Sequence, residues 1–203
     1  MSLTKISINN FRCFKNVDLQ LSPGINLFFG KNGSGKTSIL ESVFIFSSGK
    51  SFKSSNLASL VNYENDKFTL KAFDNLKGYI VEIEKNKNKP ISVLLNNKKI
   101  TTSKLIKEFP CTPIHNNTFS FADASPDFRR KLLDRSIFIS EKFFSECWFS
   151  YYRSLKQRNS ILKNNRISDI YIWNTKLSDE GLKLNNMRKN FFTKTKNEFH
   201  YLI

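Results

Sequence analysis

Eight consecutive residues, Gly30-Lys-Asn-Gly-Ser-Gly35-Lys36-Thr37, carry the densest chemistry in the chain. They match the pattern G-x-x-x-x-G-K-[ST] without a deviation. Glycines let a backbone curl so that successive N–H groups point inward, and the resulting concavity takes phosphate oxygens that a Cβ would obstruct. Lys36 is spaced to reach β- and γ-phosphates, and the Thr37 hydroxyl to ligate Mg²⁺. The expected cofactors are therefore ATP and Mg²⁺, held by Gly30, Lys31, Asn32, Gly33, Ser34, Gly35, Lys36, Thr37 and Ser38, with Thr37 as the metal ligand. Elsewhere the reactive residues are scattered. Cys13, Cys111 and Cys147 form no C-x-x-C pair, and His115 and His200 have no partner at metal-ligand spacing. No catalytic residue is assigned.

A phosphate loop works between a strand and a helix, and the flanking sequence supplies both. Ile25-Asn-Leu-Phe-Phe29 is a short apolar run expected to form a buried strand ending on Gly30. After Thr37, Ile39, Leu40, Val43 and Phe44 fall at core spacing for a helix, with Gly49 as its C-terminal stop. Ahead of the loop, Leu3 to Ile8 alternates in the strand manner, and a second alternation runs through Val17, Leu19 and Leu21. Together they predict two antiparallel strands, followed by a turn at Ser22-Pro23-Gly24.

Beyond the helix, Phe68 to Phe73, Tyr79 to Glu84, Ile91 to Leu95 and Lys99 to Thr101 predict an antiparallel meander, with turns at Asn86–Lys89 and Asn96-Asn97. Its Lys-rich turn tips fit solvated loops better than a DNA contact. Thr101 to Phe109 reads as a short helix, and Pro110 to Ile114 as a strand leading into a loop.

Residues 126–203 read as helical. Ser125-Pro-Asp-Phe-Arg129-Arg130 opens with Pro near a helix start and an acid in the first turn. Arg129 and Arg130 have two candidate partners, a phosphate group or Asp134. Lys142 to Asn164 predicts a long helix whose stripe of Phe144, Trp148, Tyr151, Leu155 and Leu162 keeps the spacing of a buried face, with Lys142, Arg153, Lys156 and Lys163 on the far side. Aromatics beside bases also suit nucleobase stacking, but the stripe geometry favours core.

The chain has 203 residues, enough for one good core or for one domain with a second lobe begun on it. Its 33 Lys and Arg outweigh 17 Asp and Glu, a net charge of +16, which favours an anionic partner. Abundant Asn, Lys, Ile and Phe throughout indicate that compositional bias supplies part of that excess. Residues 1–125 hold 17 basic and 9 acidic side chains, and residues 126–203 hold 16 and 8. Both parts carry +8, so the shorter second part is the denser one and the first place to look for DNA backbone contacts. No run approaches the roughly 20 apolar residues of a membrane helix, and no apolar stretch marks a signal peptide, so a cytoplasmic location without membrane association is expected.

Three stretches together carry a family resemblance. Ile8-Asn-Asn-Phe-Arg-Cys-Phe14, then Pro23-Gly-Ile-Asn26, then Gly30 to Glu41 resemble the opening shared by RecF and the SMC-type ATPase heads. Ser51-Phe-Lys-Ser-Ser55 is similar to the short basic motif that separates RecF from its SMC relatives. Ser125 to Arg135 resembles the S-P-x-x-R-R-x-x-L-D stretch of RecF, and Tyr152 to Leu162 its R-x-L-K-Q-R-N signature, with Trp173, Leu177 and Gly181 following in order. The resemblance implies an α/β fold: a P-loop NTPase head lobe of ABC/SMC type with an antiparallel sheet over 1–124, and the start of an all-helical, basic lobe over 125–203. It implies DNA replication and recombinational repair, binding of single-stranded and duplex DNA and their junctions, an ATP-dependent homodimer, recombination mediator partners and assistance in recombinase loading. The candidate DNA contacts are Lys53, Arg129, Arg130, Lys142, Arg153, Lys156, Arg158 and Lys163.

Two departures bear on turnover. Asn116-Asn117-Thr118 stands where the family has Pro-Glu-Asp, and no Walker B acid or signature loop is found; Leu177 to Gly181 resembles such a signature with one residue too many. In RecF these parts lie in a C-terminal portion, so this chain is expected to be a front portion whose ATPase activity is uncertain. Two alternatives stay open: a degenerate nucleotide-binding remnant without turnover, or an SMC-like structural head. The N-terminal motif disfavours a transporter ATPase.

Overall fold

The period-two alternations become one sheet. In the computed structural model, which describes residues 3–114, 125–164 and 170–201, the strands are β1 Lys5–Phe11, β2 Phe14–Gln20, β3 Lys67–Asp74, β4 Tyr79–Asn86, β5 Ser92–Leu95 and β6 Lys98–Lys99. Their order is β2-β1-β3-β4-β5-β6, and each neighbouring pair is antiparallel. Register puts Ile8 beside Leu70 and Leu70 beside Ile83, while Ile6 meets Ala72 and Ala72 meets Val81. All six of these residues are buried. The other face is laced by cross-strand ion pairs, Lys5–Asp18 at 3.1 Å, Lys71–Glu82 at 3.0 Å and Lys67–Glu84 at 2.7 Å. Such exposed pairs add little stability but keep that face in water.

Two α-helices and the 3-10 turn Leu57–Leu60, which buries Leu60, complete the first core. Helix α1, Lys36–Ser48, contributes Ile39, Ile45 and Phe46, and α2, Thr102–Glu108, contributes Leu105, with Phe109 just beyond it. Burying each such side chain stabilises by about 1.5–3 kcal/mol. Gly49 ends α1 with φ 62°, and its N–H donates to the Ile45 carbonyl at 2.8 Å. A Cβ there would stand 2.6 Å from Thr102 Cγ2, so glycine also permits the approach of α2.

The chain divides into two compact units, Met1–Ile114 and His115–Ile203. The second holds α3 Pro126–Ser140, α4 Phe144–Lys163 and α5 Ile170–His200. Its core is Ile137, Phe144 and Leu184, flanked by Trp148, Tyr151 and Met187. Asp134 of α3 accepts both bonds of a guanidinium fork from Arg188 of α5, at 2.7 Å each. Burial pushes the half-buried Cys147 thiol up from its usual range, and its S–H donates to the Glu180 carbonyl at 4.0 Å.

Several expectations are corrected. Ile25–Phe29 is not a buried strand: among the described residues no strand pairs with it, and Ile25, Leu27 and Phe29 are 93%, 82% and 88% exposed. Only Phe28 packs on the core. An apolar run declares a need for burial but does not provide the neighbour, and the six strands pair among themselves in an open sheet without it. Pro110–Ile114 forms no strand. Leu40 faces solvent while Glu41 is buried, because Arg12 compensates the carboxylate. In α4 the inward face turns through Ser154, Arg158 and Ile161 and leaves Leu162 exposed. Asp134 is taken by Arg188 rather than by Arg129 or Arg130; Arg130 lies 3.7 Å from Asp127, one turn away on the same helix. Asn116-Asn117-Thr118 lies outside the described residues.

Candidate functional site

The phosphate-loop motif does form a concavity. A cavity of about 430 Å³ is lined by Asn32 to Ser38 together with Arg12, Cys13 and Lys53. Gly35 is the residue on which it turns, standing at φ 93° as the N-cap of α1. A Cβ at Gly35 would lie 2.3 Å from Phe14 Cζ and 3.2 Å from Cys13 Sγ. The β1–β2 hairpin thus rests directly on the loop, and only glycine leaves room for it.

Three features make the cavity electropositive. Helix α1 begins without a side-chain cap and without an acid in its first turn, so its leading N–H groups and the positive end of its dipole are uncompensated by the chain. The Lys36 ammonium lies within the loop and donates to the carbonyls of Gly30 and Lys31, at 2.8 and 2.9 Å. These bonds hold the cation in the curl, where an anion exchanging with the carbonyls would meet it. Arg12 and Lys53 add two more cations to the lining.

Arg12 is fixed from several sides. It opens the turn between β1 and β2 in the left-handed region, φ 55°, a conformation that costs a non-glycine residue about 1–2 kcal/mol. Its N–H donates to the Leu60 carbonyl at 2.7 Å, and its own carbonyl accepts from the Asn62 side chain at 3.1 Å. Its guanidinium makes a two-pronged contact with Glu41, Nε to Oε2 and Nη2 to Oε1, both 2.9 Å. That hydrogen bonding raises the guanidinium above its ordinary value despite the opposing effect of burial. Glu41 is fully buried and also accepts from the Ser51 hydroxyl.

A family model for the AAA domain matches residues 5–199. The DNA replication and repair protein RecF of Shewanella frigidimarina (strain NCIMB 400) is 32% identical over 195 residues, covering 94% of this chain and 54% of that protein. RecF of Glaesserella parasuis serovar 5 (strain SH0165) is 37% identical over 184 residues, covering 88% and 50%. The chain belongs to the RecF family of AAA-domain proteins. It spans about half the length of the curated RecF relatives it matches. Among solved structures, the recombination mediator protein RecF-ATP of the RecFOR pathway superposes with a TM-score of 0.83 at 26% identity, covering 97% of this chain and 55% of that one. An SMC ATPase structure gives 0.54 at 20% identity, covering 66% and 99%, which speaks for a shared fold.

Against the RecF motifs, the structure gathers some sequence-selected residues and separates others. Asn32 to Ser38 line one cavity, with Gly30 and Lys31 contributing carbonyls to Lys36. Lys53 of the RecF-like basic motif lines that same cavity. Arg153, Lys156 and Lys163 are exposed on α4 at spacings of one helical face, while Arg158 is half-buried and its Nε donates to Asn174 of α5 at 2.7 Å. Lys142 lies over the Phe143 ring at 5.7 Å, and Arg129 is exposed on α3. Sequence reasoning missed Arg12, Cys13, Glu41 and Ser51. A signal for Glu41 existed: apart from Lys36 it is the one charge in the 13 residues of α1.

Proposed function

We propose that the chain binds ATP with Mg²⁺ at Gly30–Ser38 and acts on DNA in replication and recombinational repair, in the manner of RecF. The observation that carries the reading is the uncapped start of α1, where Gly35 turns the backbone into the cavity at a positive φ and Lys36 waits within the loop. Thr37 brings a hard hydroxyl oxygen to the lining, the donor type Mg²⁺ prefers. When bound, Mg²⁺ would neutralise charge on the phosphates. Lys36→Ala should lower ATP affinity about a thousandfold while leaving the fold intact, because besides phosphate contacts it removes only two exposed bonds to the loop carbonyls of Gly30 and Lys31. Equilibrium dialysis checks this, and unchanged affinity would sink the reading.

DNA is the proposed macromolecular partner, met by the basic helical lobe of residues 125–203. Support comes from the exposed basic face of α4 and from kinship with DNA repair proteins. Charge reversal at Lys142, Arg153, Lys156 and Lys163 should weaken binding at least about tenfold and flatten its dependence on salt. A gel-shift titration across salt concentrations reads both. ATP-dependent homodimerisation, mediator partners, recombinase loading and a cytoplasmic location belong to the same proposal. A second reading, nucleotide held without turnover, is favoured by the lining, whose side chains among the described residues include cations and hydroxyls but no carboxylate to take a proton from water. Phosphate release above a Lys36→Ala control would exclude it.

A further inference from the structure

One hydroxyl ties together two cations of the cavity. Ser51 Oγ donates to Glu41 Oε1 and accepts from the backbone N–H groups of Lys53 and Ser54, both at 2.9 Å. Its single donor and two acceptor sites are therefore all used. Glu41 Oε1 also accepts from Arg12 Nη2. Arg12 and Lys53 both line the cavity, so the buried carboxylate fixes the Arg12 guanidinium directly and the Lys53 backbone through Ser51. The intervening residue is anchored as well, with the Phe52 ring edge-on to Phe44 of α1 at 5.7 Å between centroids. An isolated buried carboxylate would be costly, and here each of its oxygens is met by a donor. The arrangement concentrates order in a segment, Lys50 to Ser54, that has no regular secondary structure of its own.

We propose that Ser51 is a positioning residue of this site: with Glu41 it sets Lys53 beside Arg12 so that the pair discriminates nucleotides by their number of phosphates. The proposal rests on the nucleotide reading above. It gives the basic segment around Lys53 a role toward the nucleotide rather than toward DNA. A cation whose backbone is anchored beside the cavity gains most from the ligand with the most charge within reach, so ATP should be favoured over ADP by the wild-type site.

The test uses the full chain and measures the dissociation constants of fluorescent ATP and ADP analogues with Mg²⁺, for wild type, Ser51→Ala, Ser51→Thr, Lys53→Ala and Lys36→Ala. Ser51→Ala and Lys53→Ala should each weaken ATP about tenfold while weakening ADP only about twofold, and Ser51→Thr, which keeps the hydroxyl, should restore the wild-type ratio. Lys53 is exposed, so its variant reports on the site even if Ser51→Ala fails to fold. Wild type that binds ATP, with Lys36→Ala that does not, and an ATP-to-ADP ratio unchanged in Lys53→Ala would overturn the inference and leave the nucleotide reading standing. Wild type that binds no better than Lys36→Ala would remove that reading, and this inference with it.

Discussion

Helices α1 and α3 begin in opposite ways. At α3, Ser125 accepts from the Phe128 N–H, Pro126 occupies a position whose missing N–H costs nothing, and Asp127 faces the dipole; Lys131 in turn pairs with Asp127 at 2.6 Å. The α3 start is satisfied by its own residues. At α1 the cap is Gly35, no side chain accepts from the first turn, and the nearest charged side chain is the cation Lys36. The lesson is that a helix start stripped of its usual caps and acids, with Phe14 and Cys13 close against its glycine, suits an anion from outside the chain.

The strongest way to break this contrast is to give the α1 start a side chain. Gly35→Ala should destabilise the first unit by about 3 kcal/mol, since the new methyl meets Phe14 and the backbone stands at positive φ. Chemical denaturation measures the loss, and Phe14→Ala in the same chain should recover part of it. Giving α1 the acid that α3 carries comes next. Ser38→Asp should raise helix stability slightly through the dipole but lower ATP affinity about tenfold, because the carboxylate competes with phosphate for the same field. Isothermal titration calorimetry beside a melting curve separates the two effects. The smallest change is at the other helix: Ser125→Ala should cost about 1 kcal/mol and leave nucleotide affinity untouched. A loss of ATP binding in that variant would show that the two starts are not independent.

Much of this was legible in the residues. Alternation gave the strands because one face of the sheet is buried and the other carries paired charges, and Gly49, Thr101 and Ser125 each marked a helix boundary as expected. The phosphate loop was legible because its chemistry is local, eight residues whose backbone must curl. Arg12 and Lys53 were not, since they reach the cavity from a hairpin and a loop on either side of it in sequence. Ile25–Phe29 was misread for a related reason: pairing depends on a neighbour, and the run itself does not specify one. In α4, Leu162 has the hydrophobicity of a core residue, yet the twist of the helix face carried Ile161 and Arg158 inward instead.

The sequence by itself determined that a glycine-lined loop would join an extended segment to a helix with lysine at its start, because local sterics and hydrogen-bonding needs decide those features within a few residues. Only the tertiary structure decided that Glu41 is buried, that it grips Arg12 from 29 residues away and that Ser51 shares its oxygen with Lys53's loop. Charges meet in a protein interior only when packing has excluded water from around them, and the arrangement of a whole core is what excludes it.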